Sequence, residues 1–215
     1  MNRDFEFRQL LRAYRSGVIT EETFEQEMAN LETGAEATNG ANGAGGFRAF
    51  GKTYASEREA IIAFIDRARV AESNAGVAFN NWANVCKTEC IRSGLRMIAE
   101  RESYHGRMFE RRLRDLGVEC RATLSDDSRK FAETVSDQGL SDNEKLLRFN
   151  KLVPDPEAAV KPICEFAEII KDDLESKEMI KLFYDDELSS TKWLQYACAA
   201  LNAPAQATQM AQPSA

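Results

Sequence analysis

Two long segments of the sequence carry apolar residues at intervals of three, four, seven or eleven residues, all of which keep them on one face of an α-helix. The first stripe is Ile61, Ile65, Ala68, Ala75, Phe79, Trp82 and Cys86, and the second is Ile91, Leu95, Ile98, Phe109 and Leu116. Helices of this kind owe most of their stability to packing of the apolar face against other elements. The chain is therefore predicted to be all-α.

Local signals predict where these two helices begin and end. Ser56, followed three residues later by Glu59, has the form of a capping box at the start of the first helix. Gly117 directly follows the second stripe and is expected as the glycine that ends that helix. The two helices should form an antiparallel hairpin with its turn near Lys87.

Two more long helices are predicted after a connecting segment, residues 118–155. This segment has no long stripe, and Ser141 with Glu144 opens one of its two expected short helices. Asp155 and Pro156 are typical of a helix start, as N-cap and first helical residue. A fourth helix is expected from about Ser176. Residues 52–201 thus predict a four-helix bundle with a long crossover between its helix pairs.

Glutamates interrupt three of the apolar stripes at positions where an apolar residue is expected. Glu72 lies within the first stripe, Glu102 within the second and Glu187 within that of the fourth helix. His105, the only histidine in the chain, follows Glu102 by three residues and shares its helix face. Because a carboxylate in a bundle core is costly unless it is paired or bound to a metal ion, these positions are candidate metal ligands.

Glu157 is the fourth candidate glutamate. It precedes Glu187 by 30 residues, as Glu72 precedes Glu102. In two antiparallel hairpins with turns near Lys87 and Asp172, each pair would lie about 15 residues from its turn. Glu165 and Glu168 are alternatives with a poorer helical phase.

A glutamate on two helices and Glu-x-x-His on the other two resembles the ligand set of the ferritin-like di-iron carboxylate superfamily, broadly the rubrerythrin and bacterioferritin kind. The resemblance covers residues 56–201. It implies that Glu72, Glu102, His105, Glu157 and Glu187 bind metal, iron first and manganese as an alternative. It also implies redox chemistry with O₂ or peroxide, or iron handling. Ser190 stands where the second histidine is expected, and Ser190 or Tyr184 would tune the site.

Three interpretations of these residues remain open. The glutamates and His105 bind one or two metal ions, with water or Ser190 at the missing position. Alternatively, the site has decayed and its polar groups pair with one another, Glu102 bonding His105, Arg69 or Arg101. In the third interpretation the glutamates face water.

The sequence outside the bundle predicts three further regions. Residues 1–32 indicate a helical hairpin with Gly17 at its turn. Its stretch SGVITEETFEQEMANL, residues 16–31, resembles the short SHOCT module, which implies oligomerisation or docking. The alternative is an amphipathic arm that packs against its own main domain. Residues 33–51, rich in Gly, Ala and Asn, indicate a flexible linker, and residues 202–215 a disordered tail. The competing function is therefore a non-enzymatic scaffold that oligomerises through its helical arm.

Charge and composition limit the classes of molecule that the protein is expected to bind. The net charge is −7, which disfavours nucleic acid and anionic membrane surfaces. No apolar run approaches the roughly 20 residues that span a bilayer, and the N-terminus lacks a signal-peptide pattern. The five cysteines form no C-x-x-C pair. The sequence thus predicts a cytoplasmic protein that binds a metal ion. The N-terminal hairpin adds a second copy of the chain or another protein as the expected partner.

Overall fold

The structure is a computed structural model, and it describes residues 46–203 together with Glu21, Phe24, Glu25 and Met28. The predicted N-terminal hairpin, apart from those four positions, lies outside the described residues. So do residues 33–45 of the predicted linker and residues 204–215 of the predicted tail.

Within residues 46–203, two short strands precede six helices. The elements are β1 (Phe47–Ala49), β2 (Lys52–Tyr54), α1 (Glu57–Val85), α2 (Glu89–Asp115), α3 (Asp126–Ser136), α4 (Asp142–Leu152), α5 (Pro156–Ile169) and α6 (Leu174–Asn202). The prediction of a mainly helical protein is confirmed for the described residues. None of these helices is long and apolar enough to cross a membrane.

The long helices α1 and α2 form a tightly packed hairpin, and α5 packs against α6. Helix α6 also contacts α2, which joins the two pairs. The short helices of the connecting segment cover the outside, α3 against α1 and α4 against α6.

The predicted helix ends are largely found. Ser141 and Glu144 form a reciprocal capping box at α4, and the Asp155 side chain accepts a hydrogen bond from Ala158 N at the start of α5. Gly117 has a φ of 68°, as expected of a glycine that ends a helix. At α1, Ser56 Oγ accepts from Glu59 N, but the Glu59 carboxylate accepts from Ala55 N rather than from Ser56 N.

The end of the predicted linker is ordered as a β-hairpin, which corrects the linker prediction for residues 47–51. Phe47 pairs with Tyr54 in the antiparallel register, and Phe50 and Gly51 form the turn with φ values of 49° and 70°. A two-residue turn with both φ values positive matches the right-handed twist of the strands. Phe50 is held in this unusual conformation by stacking on Phe64, with ring centroids 5.5 Å apart.

Two apolar clusters form the core, one at each end of the bundle. The first lies near the α1–α2 turn and includes Phe79, Trp82, Leu95, Ile98 and Leu194. The second includes Ile61, Ile65, Phe109, Phe166, Ile180 and Phe183. In α1, α2 and α6 the buried side chains between the two clusters are polar, and they include the site described next.

Candidate metal centre

Three helices bring four polar side chains together between the two apolar clusters. Glu72 comes from α1, Glu102 and His105 from α2, and Glu187 from α6. One ligand atom from each lies within 4.8 Å of the other three. Glu72, Glu102 and His105 are buried, whereas Glu187 is half-buried. The structure thus brings together four of the five residues singled out in the sequence.

The imidazole of His105 faces all three carboxylates. Its Nδ1 lies 3.5 Å from Glu102 Oε2, 3.7 Å from Glu72 Oε2 and 3.8 Å from Glu187 Oε1. These separations exceed ordinary hydrogen-bond lengths. They are close to the roughly 3.4 Å between ligand atoms that surround one ion tetrahedrally at about 2.1 Å.

These same four atoms have no hydrogen-bond partner. Among the described residues, the buried side-chain atoms without one are Asn150 Oδ1 and the four that face one another in the cluster, Glu72 Oε2, Glu102 Oε2, His105 Nδ1 and Glu187 Oε1. Buried polar atoms are rarely left unsatisfied in native proteins. A cation at their centre would satisfy all four, so the donor set fits a metal ion.

Asp186 orients the imidazole. Its Oδ2 lies 3.0 Å from His105 Nε2, on the side of the ring away from the glutamates. A carboxylate beside Nε2 favours the proton on that nitrogen and leaves the Nδ1 lone pair directed at the cluster. Metal-binding histidines commonly have such a partner. Sequence reasoning missed Asp186, although it directly precedes Glu187.

Without a cation, simultaneous ionisation of the three carboxyl groups is strongly unfavourable. Burial, together with the neighbouring Glu102, raises the pKa of Glu72 well above its ordinary value, and burial and the charges of Glu72 and Glu102 do the same for the pKa of Glu187. Burial also acts to raise the pKa of Glu102, but the neighbouring Glu72 carboxyl and His105 imidazole outweigh it and lower that pKa. Burial acts to lower the pKa of His105, and the carboxylates of Glu102 and Asp186 raise it overall. A divalent cation would remove this conflict.

Glu157 does not belong to the cluster, which corrects its prediction as a ligand. It lies exposed in the first turn of α5, and its carboxylate accepts a hydrogen bond of 2.7 Å from Lys192 Nζ. Pro156 is buried, and one residue further turns the side chain about 100° around the helix, away from the core. The alternatives Glu165 and Glu168 also pair with lysines, Lys161 and Lys181.

Ser190, at the position expected for a second histidine, interacts with an arginine. Arg101 Nη1 donates to Ser190 Oγ at 3.0 Å and to the Asp186 carbonyl at 3.1 Å, and its Nε lies 3.5 Å from Asp186 Oδ1. The pairing of Arg101 with Glu102 that the decayed-site interpretation allowed is not found. Arg69 instead pairs with Asp66. Tyr184 is half-buried and makes no hydrogen bond to the cluster within the described part of the chain.

Two glycines let α1 and α2 approach each other at the level of the site. A Cβ on Gly76 would lie 2.9 Å from Ser103 N, and one on Gly106 would lie 3.1 Å from Ser73 N. Each glycine therefore packs against the serine of the opposite helix. The signal was present in the sequence, since Glu-Ser-x-x-Gly occurs at residues 72–76 and again at 102–106.

Comparisons with known proteins add no family to this description. No family model, no curated protein and no solved structure matches the chain.

Proposed function

We propose that this protein binds one divalent metal ion, preferably iron, in a ferritin-like bundle, and serves iron handling or redox chemistry with O₂ or peroxide. Glu72, Glu102, Glu187 and His105 Nδ1 are the ligands. The observation that carries the proposal is that four buried donor atoms without partners converge on one point.

The donor set supports a hard or borderline divalent ion. Three carboxylates and one imidazole suit Fe(II) or Mn(II) better than a soft metal, which prefers thiolates. Bound iron would supply redox chemistry with O₂ or peroxide. The carboxylates would balance the charge of the ion, and Asp186 would hold the Nε2 proton of His105 so that Nδ1 stays free to bind.

A single ion is favoured over two. The cluster offers four ligand residues, and the three distances from His105 Nδ1 to the carboxylate oxygens suit one coordination sphere. Ser190 is already engaged by Arg101, whose positive charge opposes a second cation nearby.

The test is a metal titration of chelator-treated protein. Fe(II) is added without oxygen, and bound iron is counted per chain by elemental analysis after gel filtration. We expect one ion per chain for the unaltered protein and strongly reduced binding for Glu102→Gln. Glu157→Gln, which changes an exposed glutamate outside the cluster, is the matched control and should bind as the unaltered chain does.

Each alternative has its own result. Binding of no iron or manganese by a folded protein, confirmed by circular dichroism, would overturn the proposal and favour the scaffold function. Two ions per chain would keep the metal site but contradict the single-ion assignment. Equal loss in Glu102→Gln and Glu157→Gln would show that the iron is bound elsewhere.

A further inference from the structure

A second site lies at the α1–α2 turn, built around a buried lysine. Lys145, on α4, is only 1% exposed, and its ammonium lies over the Trp82 ring, 5.8 Å from the ring centroid. Within the described part of the chain, Lys145 Nζ has no hydrogen-bond acceptor and no carboxylate in ion-pair range. Lys145 Nζ is not among the completely buried atoms that lack a partner, so it keeps contact with the neighbouring cavity, where an oxyanion could accept its hydrogen bonds.

Lys145 borders a cavity of about 310 Å³. The remaining lining residues are mostly polar: Asn84, Val85, Lys87, Gln138, Leu140, Ser141 and Asp142. The volume equals that of about ten water molecules, at roughly 30 Å³ each in the liquid. Such a cavity suits a small polar molecule rather than a large apolar one.

The one buried acid in this cavity is already satisfied. Asp142 Oδ1 accepts from Trp82 Nε1 at 2.9 Å, and Oδ2 accepts from the backbone N–H groups of Lys87 and Thr88 at 2.9 and 2.8 Å. These donors hold the negative charge of Asp142. The three N–H bonds of the Lys145 ammonium remain available, and Lys87 adds a second positive charge to the lining.

We propose that this cavity binds a small organic or inorganic oxyanion, a carboxylate or a phosphate, with Lys145 as its main contact. The oxygens of such an anion are strong acceptors for an ammonium group. Asn84 and Gln138 line the cavity with amide groups that can donate further hydrogen bonds. The site is separate from the metal centre, since Val85 lies 13 residues beyond Glu72 along α1, or about 20 Å. It does not depend on the proposed metal function.

Trp82 provides a direct readout. The chain has two tryptophans, so Trp193→Phe leaves Trp82 as the only one, beside the Lys145 ammonium. In this background, Trp82 emission is titrated with inorganic phosphate and with succinate at constant ionic strength, with chloride as the reference salt. We expect a saturable change with one or both oxyanions and none with chloride.

Variants locate the binding. Lys145→Met should abolish the saturable change, whereas Lys151→Met, an exposed lysine on the same helix, should leave it intact. Circular dichroism checks that both variants fold. Independently of any lysine variant, NMR of the unaltered chain should show the Gln138 side-chain amide and the Lys87 backbone amide shifting with the same saturation curve.

The titrations with phosphate, succinate and chloride distinguish the possible ligands. Saturation by phosphate alone assigns a phosphate site, and saturation by succinate alone assigns a carboxylate site. The proposal is overturned if neither anion saturates, if chloride gives the same change, or if Lys145→Met binds as well as the unaltered chain.

Discussion

At the scale of single residues, the orientation of His105 decides whether the cluster can accept a cation. The ring has two nitrogens, and only Nδ1 faces the glutamates. Asp186 contacts the other nitrogen, and Arg101 in turn lies against Asp186. The chain Arg101–Asp186–His105 therefore fixes the ring with Nδ1 toward the centre of the site.

Replacing Asp186 by Asn should weaken metal binding without removing a ligand. The amide carries no charge to stabilise the Nε2 proton, and the imidazole loses its fixed orientation. Loss of such a partner typically lowers metal affinity about 10- to 100-fold. The affinity is measured by competition with a chelator of known strength.

Asp185→Asn is the control, because Asp185 is exposed and adjacent in sequence. It removes the same charge from nearly the same place. If both variants lose affinity equally, net charge rather than the His105 contact explains the effect.

The three clustered glutamates could be predicted at this scale, whereas the exposed position of Glu157 could not. Glu72, Glu102 and Glu187 replace apolar residues in the middle of long stripes, so their helical phase was fixed by many neighbours. Glu157 lies at the very start of a 14-residue helix, where few neighbours define the phase. A shift of one residue in the helical phase then decides whether the side chain faces the core or the solvent.

At the scale of elements, close packing of α1 on α2 sets the width of the site. Gly76 and Gly106 each contact a serine on the opposite helix, one turn from Glu72 and Glu102 respectively. Any side chain at these glycines would push the helices apart exactly where the ligand atoms must converge.

Gly106→Ala is expected to destabilise the fold and weaken the metal site together. The added Cβ would lie 3.1 Å from Ser73 N and 3.2 Å from Ser73 Cα, and closer still to the hydroxyl. Overpacking of this kind costs about 1–3 kcal/mol in the free energy of unfolding. Denaturant unfolding of the metal-free protein measures this cost, and chelator competition measures the affinity.

Ser73→Ala combined with Gly106→Ala tests the cause. Removing the serine hydroxyl relieves the tightest contact, so the double variant should recover part of the lost stability. A double variant no more stable than Gly106→Ala would mean that the serine contact does not limit the helix spacing.

Asp142 is the first residue of α4, and its carboxylate connects this helix to the α1–α2 turn. Burial acts to raise its pKa, but hydrogen bonds from Trp82 and Thr88 outweigh burial and lower it. A lowered pKa means that Asp142 contributes stability above the pKa of the unfolded chain, and that this contribution is lost as pH falls through the folded value. The contribution is therefore complete at neutral pH.

Asp142→Asn should lower the free energy of unfolding by about 2 kcal/mol at pH 7, the usual size for hydrogen bonds to a charged group. The difference from the unaltered protein should shrink as the pH falls below about 4, the ordinary range for Asp. Urea unfolding at a series of pH values measures this. A difference that stays constant down to pH 2 would show that the charge of Asp142 is not responsible.

The elements themselves followed from the sequence except at the β-hairpin. Long stripes and caps such as Ser141 with Glu144 define helices through many residues at once. The hairpin turn instead uses Phe50 at a position that normally favours Asn, Asp or Gly. Its ring stacks on Phe64 and lies tilted against Phe166, and these contacts stabilise the turn. Such a contact with distant helices is not visible in a local pattern.

At the scale of the whole molecule, the bundle has a polar layer between two apolar layers. The clusters around Trp82 and around Phe109 are each well packed, and the glutamates lie between them. Three buried or half-buried carboxylates with one histidine destabilise the metal-free fold, because their charges repel and their desolvation is incompletely offset. A bound cation would reverse this, so metal occupancy would be linked to stability.

Chelator should therefore lower the melting temperature. At a free metal concentration 1,000 times the dissociation constant, binding adds about 4 kcal/mol to the stability of the native state. For a chain of this size that corresponds to about 10 °C.

A variant with Leu at positions 72, 102, 105 and 187 is the control, and it should melt at the same temperature with and without chelator. Its melting temperature should be no lower than that of the metal-free unaltered protein, since apolar replacement of a buried charged cluster is often neutral or stabilising. Differential scanning calorimetry of both proteins decides the matter: an unaltered protein indifferent to chelator would mean that its carboxylate layer is satisfied without a metal ion.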